Sequence, residues 1–389
     1  MDQTEARKRW AMLALLFAAR VGLGFQFQTM GSVADPVAAR LGLSGAETGT
    51  LIGLFLIPGL VLAIPAGFAG RWASDRVLVA LGLAGLALGG ALAAMADGFA
   101  ILAMGRLLSG AGFVLCSIYF TKMVVDWFAG RELATAMAIL VMSWPFGIAM
   151  GQVGHGWLEA TQGWRTPFIV ASLYCLAGAI AVLVAYRPPD GGAAAAVPSA
   201  RLTSREWTLT LIAALTWATF NAGYVIYLSF APRVLVAGGL GTFEAASTLS
   251  IASWVMIFSG TLCGMIADRT GRSDLILYFC LCCAMASLAL LPQVAWAVPV
   301  SLLFGLLGVA PAGIVMALTG EAMAPQKRAF GMAVFLSIFF LLMGPAPTLA
   351  GWLYDRTGDP FVPILLAIAM FGLALLAHIG FRLAQRAMR

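Results

Sequence analysis

Charge is what this chain has least of. Asp, Glu, Lys and Arg make up 10% of its 389 residues, against about 25% in an ordinary soluble domain. That excludes a water-soluble globular protein. Histidine occurs twice, and the six cysteines (Cys116, Cys175, Cys263, Cys280, Cys282 and Cys283) all lie in apolar runs. They read as small buried hydrophobes, not as a disulfide framework. Cys280, Cys282 and Cys283 lack metal-site spacing and histidine neighbours. No metal and no cofactor is therefore expected. The chain has no phosphate loop, nucleotide fingerprint or catalytic triad, so an enzyme is not expected, nor transport driven by ATP hydrolysed on this chain. The strand alternation of an outer-membrane barrel is missing as well.

What is present is hydrocarbon. The chain is 61% hydrophobic with a mean hydropathy of +0.95. Its apolar residues come in runs of roughly 20, long enough to cross a bilayer core. Twelve such segments are predicted. The first six run at about 10–33, 46–70, 77–96, 99–123, 132–158 and 166–186, and the second six at about 207–231, 244–267, 275–292, 297–320, 329–353 and 361–382. The first run is full length and is followed by further spans, so a cleavable signal peptide is not expected. The fold class is all-α and polytopic. Residues 1–187 form one six-helix bundle, 188–206 a linker rich in proline, glycine and charge, and 207–389 a second bundle.

The net charge is +6. Its placement argues against nucleic acid as a partner. Sixteen of the 23 Lys and Arg fall in segments assigned to one side, including Arg7, Lys8, Arg9, Arg131 and the linker, and four (Arg40, Arg165, Arg233, Arg356) to the other. This is the positive-inside bias, and it puts both termini in the cytoplasm of a multi-pass inner-membrane protein.

The two halves repeat one another. Asp35-Pro36 ends the first helix as Ala231-Pro232 ends the seventh, with Glu47 and Glu244 following. Gly156-Trp157-Leu158, then Pro167-Phe168, matches Gly351-Trp352-Leu353, then Pro360-Phe361. A charged turn, Gly264-Met265-Ile266-Ala267-Asp268-Arg269-Thr270-Gly271-Arg272-Ser273, separates two apolar runs, and an altered copy occupies Gly67 to Arg76. The pattern Gly-x-x-x-Asp-Arg-x-Gly-Arg resembles the signature loop of the major facilitator superfamily. Arg106 to Gly112 resembles its fourth-helix motif, and Trp144-Pro145-Phe146-Gly147 weakly resembles its fifth-helix motif in antiporters, without the leading and paired glycines. The resemblance implies two parallel six-helix repeats with pseudo-two-fold symmetry and a substrate site between them near the midplane. It further implies that Asp268, Arg269 and Arg272 act in cytoplasmic gating, with Arg71 and Arg76 as their counterparts. In the first half Gly70 stands at the acidic position, so the lock is expected to rest on the second-half loop.

Charge inside hydrocarbon is costly and marks function. Arg20 falls about ten residues into the first helix, with Gly24, Phe27 and Gly31 on its face and Gln28 beside it. Arg106 lies about two turns into the fourth helix, with Phe113 near its face. Neither arginine has an equally deep carboxylate to neutralise it: Glu47, Asp126, Glu132, Glu244 and Glu321 all fall at helix ends. Guanidinium binds oxyanions bidentately, so an anionic substrate is expected. Trp144 and Gln152 on the fifth helix, and Trp217, Asn221 and Tyr224 on one face of the seventh, complete the candidate substrate-binding set, and Tyr227 is expected to point elsewhere. His155 is the candidate proton site. A structural role for each of these residues stays open.

The function expected is secondary transport of a small anion, an organic carboxylate or small inorganic anion, by alternating access through a central cavity. Around Trp144 the chain resembles the cyanate and nitroimidazole branch of the superfamily, and a monocarboxylate importer fits equally. An exporter of amphipathic drugs or metabolites remains the alternative, suited by 18 Met, 24 Phe and 11 Trp. The partners expected are the bilayer, the substrate, and a coupling proton or counter-substrate. A monomer is expected.

Overall fold

The computed structural model describes residues 3–128, 132–189, 202–324 and 327–388. Residues 190–201 of the expected linker lie outside the described residues. Among the described residues, twelve helices are long and apolar enough to cross a membrane, numbered here as spans 1 to 12. Spans 1 to 6 are Ala6–Ser32, Gly45–Arg71, Asp75–Ala94, Phe99–Phe128, Thr135–Gln162 and Arg165–Ala185. Spans 7 to 12 are Ser204–Ala237, Thr242–Ala267, Ser273–Leu290, Val294–Ala322, Val334–Thr357 and Val362–Ala387. With no water to satisfy backbone groups in a bilayer core, the chain closes its N–H and C=O groups within each helix.

Two compact units form, and their boundary differs from the midpoint of the sequence. One unit is Met1–Val33 with Val61–Ala196, and the other is Ala34–Leu60 with Val197–Arg389. The backbone breaks at the first crossing and shortly before the second. Span 1 ends at Ser32, and a separate short helix, Ala34–Leu41, begins after a bend at Val33. Span 2 is interrupted by a turn at residues 54–57, just before Pro58, which has no N–H to continue the ladder.

Within the first unit, small residues set the packing, as hydrocarbon surroundings favour. Spans 3 and 4 meet through Gly82 and Gly89 against Gly112 and Gly105, where a Cβ on any of the four would clash with the facing backbone. In the second unit the core is aromatic. Phe304 of span 10 lies with its ring centre 4.3 Å from Tyr227 and 5.9 Å from Phe371.

That unit also holds residues 34–60 tightly. The first helix of span 2, Gly45–Gly53, carries glycine every fourth residue. Gly45, Gly49 and Gly53 lie on the backbone of Gly351, Pro347 and Gly344 in span 11. The carboxylate of Asp355 accepts the N–H groups of Gly45 (2.6 Å) and Ala46 (2.7 Å) at the start of that helix. Arg233 pairs with Asp35 and lies over the ring of Tyr354. Span 10 contains a π-helical turn at Phe304–Gly308 ahead of Pro311, and span 11 breaks at Gly344-Pro345.

Candidate functional site

The first unit brings together most of the residues selected from its sequence. Gly24 of span 1 faces the Trp144 carbonyl of span 5, and Gly147 of span 5 faces the Val21 carbonyl of span 1, with no room for a Cβ at either. The two backbones therefore touch, and the Arg20 guanidinium reaches span 5. Its Nη1 donates to the Leu140 carbonyl (2.7 Å) and to Ser143 Oγ (2.8 Å). Ser143, fully buried, in turn donates to the Leu140 carbonyl at 2.6 Å. Arg20 itself is half-buried. Its Nε is buried without a partner, and among the described residues no hydrogen bond is made by Nη2. One edge of the fork is thus fastened and the other is unused.

Aromatic rings stand beside it. Trp144 follows Ser143 directly, and its ring centre lies 5.3 Å from Phe27 and 5.2 Å from Phe113. These are tilted contacts, within the range aromatic pairs prefer. Trp144 and Phe113 are half-buried, and Phe27 is buried.

Arg106 is placed differently. It is 1% exposed, and it donates to the carbonyls of Gln26 and Phe27 on span 1, both at 3.3 Å. One of these bonds brings it to the backbone of Phe27, whose ring belongs to the aromatic cluster. Gln26 escaped the sequence reading. It is 1% exposed and gives its amide to the Leu86 carbonyl at 3.1 Å. Gln28 donates to Ser32 Oγ, 3.2 Å, and Ser32 donates to the Gly151 carbonyl. Gln152 is buried. His155 is fully buried, 4.3 Å from the Phe25 ring, with neither ring nitrogen bonded among the described residues.

In the second unit, Trp217 and Asn221 are half-buried on span 7. The Asn221 amide is turned back onto its own helix, donating to the Trp217 carbonyl at 2.8 Å. The Trp217 ring lies 6.1 Å from Phe220 and 6.3 Å from Phe339. Tyr224 is buried with its hydroxyl 3.5 Å from Ser253 Oγ. Tyr227 does not point elsewhere: its ring stacks 6.5 Å from that of Tyr224, because residues three apart share a helical face.

Comparison with known proteins settles the family. The model of the Major Facilitator Superfamily matches residues 16–347. The chain belongs to this superfamily. Members are membrane transporters and not enzymes. A gallate transporter of Pseudomonas putida is 25% identical over 95% of this chain and 91% of its own. A probable sulfoacetate transporter of Cupriavidus necator is 24% identical over 90% and 88%. Among solved structures, a bacterial homologue of the human lysosomal transporter Spinster, inward-facing and unoccupied, matches with TM-score 0.75 at 18% identity, covering 97% of both chains.

The superfamily's signature loop is short here. Its helix runs through Thr270 and ends at Gly271 in the left-handed conformation (φ 64°). Arg269 and Arg272 are exposed, and the Asp268 side chain lies outside the described residues. In the first-half copy, Arg76 is exposed and Arg71 lies over the Phe68 ring. None of these four arginines makes an ion pair among the described residues. Ion pairs near each loop involve other residues. Lys122 joins Asp75 and Asp126 in the first unit. In the second, Arg382 joins Asp274 and Glu321, with His378 3.4 Å from Asp274. Asp75 and Asp274 stand 199 residues apart, and so do Lys122 and Glu321, as Arg106 and Gly305 do. That common offset was the available signal.

Proposed function

We propose that this transporter moves a small organic anion across the cytoplasmic membrane by alternating access, with Arg20 as the anchor for the anionic group and both termini in the cytoplasm. The observation that carries the reading is the Arg20 guanidinium. One nitrogen is fixed by Leu140 and Ser143 while its other edge makes no hydrogen bond among the described residues. A half-buried cation held in one orientation presents a ready donor edge to a carboxylate or sulfonate. Gallate and sulfoacetate, the substrates named for two relatives, are both organic anions. The excess of Lys and Arg on one side supports the orientation.

His155 is the candidate coupling site, a buried imidazole with both nitrogens unbonded among the described residues. Its replacement by Gln should remove proton-driven accumulation but leave substrate exchange down a gradient.

The direct test is thermal stability of purified protein against inorganic anions, organic acids, neutral metabolites and lipophilic cations. A ligand at 100 times its dissociation constant adds about 2.7 kcal/mol to the folded state. Stabilisation by an organic acid that disappears in Arg20→Gln is expected. Stabilisation by lipophilic cations alone, unaltered in Arg20→Gln, would instead make the protein an exporter of amphipathic compounds.

A further inference from the structure

Around the candidate site the amide N–H groups of Gln28 and Asn221 are turned onto the protein, while several rings are only half-buried. Gln28 gives its amide to Ser32 and is 3% exposed. Trp144 and Phe113 beside it are half-buried, and the Trp144 indole N–H has no partner among the described residues. The second unit, taken separately, repeats the pattern. The Asn221 amide is used on its own helix and Tyr224 is buried, while the Trp217 ring is half-buried with its N–H unbonded among the described residues.

These two patterns select between kinds of acid. A polyhydroxylated acid must exchange each hydroxyl's water for a protein donor or acceptor, and a hydroxyl left unpaired loses affinity. With the amide N–H groups of Gln28 and Asn221 directed at the fold, few side-chain donors are left for several hydroxyls. An aromatic acid asks for less: one guanidinium edge for the carboxylate, and ring faces or edges for the ring. We propose that the substrate is an aromatic carboxylate, its carboxylate on the unused edge of Arg20 and its ring against Trp144 and Phe113. The proposal rests on the reading of Arg20 as the anion's anchor.

The test uses the full-length protein in detergent, with thermal shift and calorimetric titration of four probes: benzoate, cyclohexanecarboxylate, gluconate and benzamide. Benzoate should bind most tightly. Gluconate and benzamide should each be at least about tenfold weaker, since one lacks the ring and the other the charge. Cyclohexanecarboxylate should fall roughly threefold to tenfold behind benzoate, the worth of an aromatic pair. Phe113→Leu, which keeps an apolar side chain but no ring, should narrow the gap between benzoate and cyclohexanecarboxylate. The melting temperature without ligand reports whether that variant folds.

Gluconate binding as tightly as benzoate, with both lost in Arg20→Gln, would overturn the aromatic class and leave the anion reading standing. Equal binding of benzoate and cyclohexanecarboxylate would also overturn it, because the pocket would then ask only for an apolar group. Carboxylate binding untouched by Arg20→Gln would sink the anion reading itself, and this proposal with it.

Discussion

Arg20 and Arg106 are the same side chain on apolar spans of one unit, yet their surroundings differ. Arg20 keeps a donor edge unbonded among the described residues and is half-buried. Arg106 is enclosed and spends its nitrogens on the carbonyls of Gln26 and Phe27. Arg106→Gln should therefore act on stability, lowering that of the ligand-free protein by about 1–2 kcal/mol, as for lost hydrogen bonds between helices. Anion affinity of the folded protein should stay within about threefold. A tenfold loss of affinity at unchanged stability would make Arg106 a ligand. Ser143→Ala should do the reverse. It removes one of two acceptors that orient Arg20, so anion affinity should drop about tenfold, the scale of one hydrogen bond to a charged group, as a titration would read.

At the scale of elements, glycine decides which helices touch. Gly24→Ala would push a methyl group into the Trp144 carbonyl, forcing span 1 from span 5 and Arg20 from Ser143. Much less folded protein is expected, measured by the monodisperse yield in size exclusion. Gly85→Ala is the control, since its nearest neighbour would be Gly112 Cα at 3.4 Å, an ordinary contact. Docking of residues 34–60 on span 11 depends on similar contacts together with Asp355. Its carboxylate meets two unpaired N–H groups at a helix start, where the helix dipole also favours negative charge. Asp355→Asn turns one acceptor into a donor facing an N–H. A cysteine placed at Thr50, half-buried against Thr348, should then label faster. Labelling at the wild-type rate would mean that the glycine face alone holds the segment.

For the whole molecule, the proposed topology makes a simple demand. A reporter enzyme active only outside the cytoplasm should be silent when fused after Arg389 and active when inserted after Gly42, which has φ 67° at an open position. The opposite pattern would invert the protein and reverse the assignment of every loop.

The sequence by itself determined the twelve spans, the all-helical class and the family. These depend on local quantities: the length of an apolar run, glycine and proline at its ends, and a charged motif of ten residues. It also picked out Arg20, Phe27, Phe113 and Trp144, because a charge in hydrocarbon and rings at helical spacing can be seen on a single helix. Only the tertiary structure decided which partners those residues have. Nothing local distinguishes Arg106 from Arg20; the difference is which neighbouring backbone each can reach. Ser143 and Gln26 look like ordinary polar residues until spans 1, 3 and 5 are brought together. Residues 34–60 read as part of the first half because chain order puts them there. They belong with residues 197–389 in the structure because Gly45, Gly49 and Gly53 fit the backbone of span 11, and that fit lies between surfaces almost 300 residues apart.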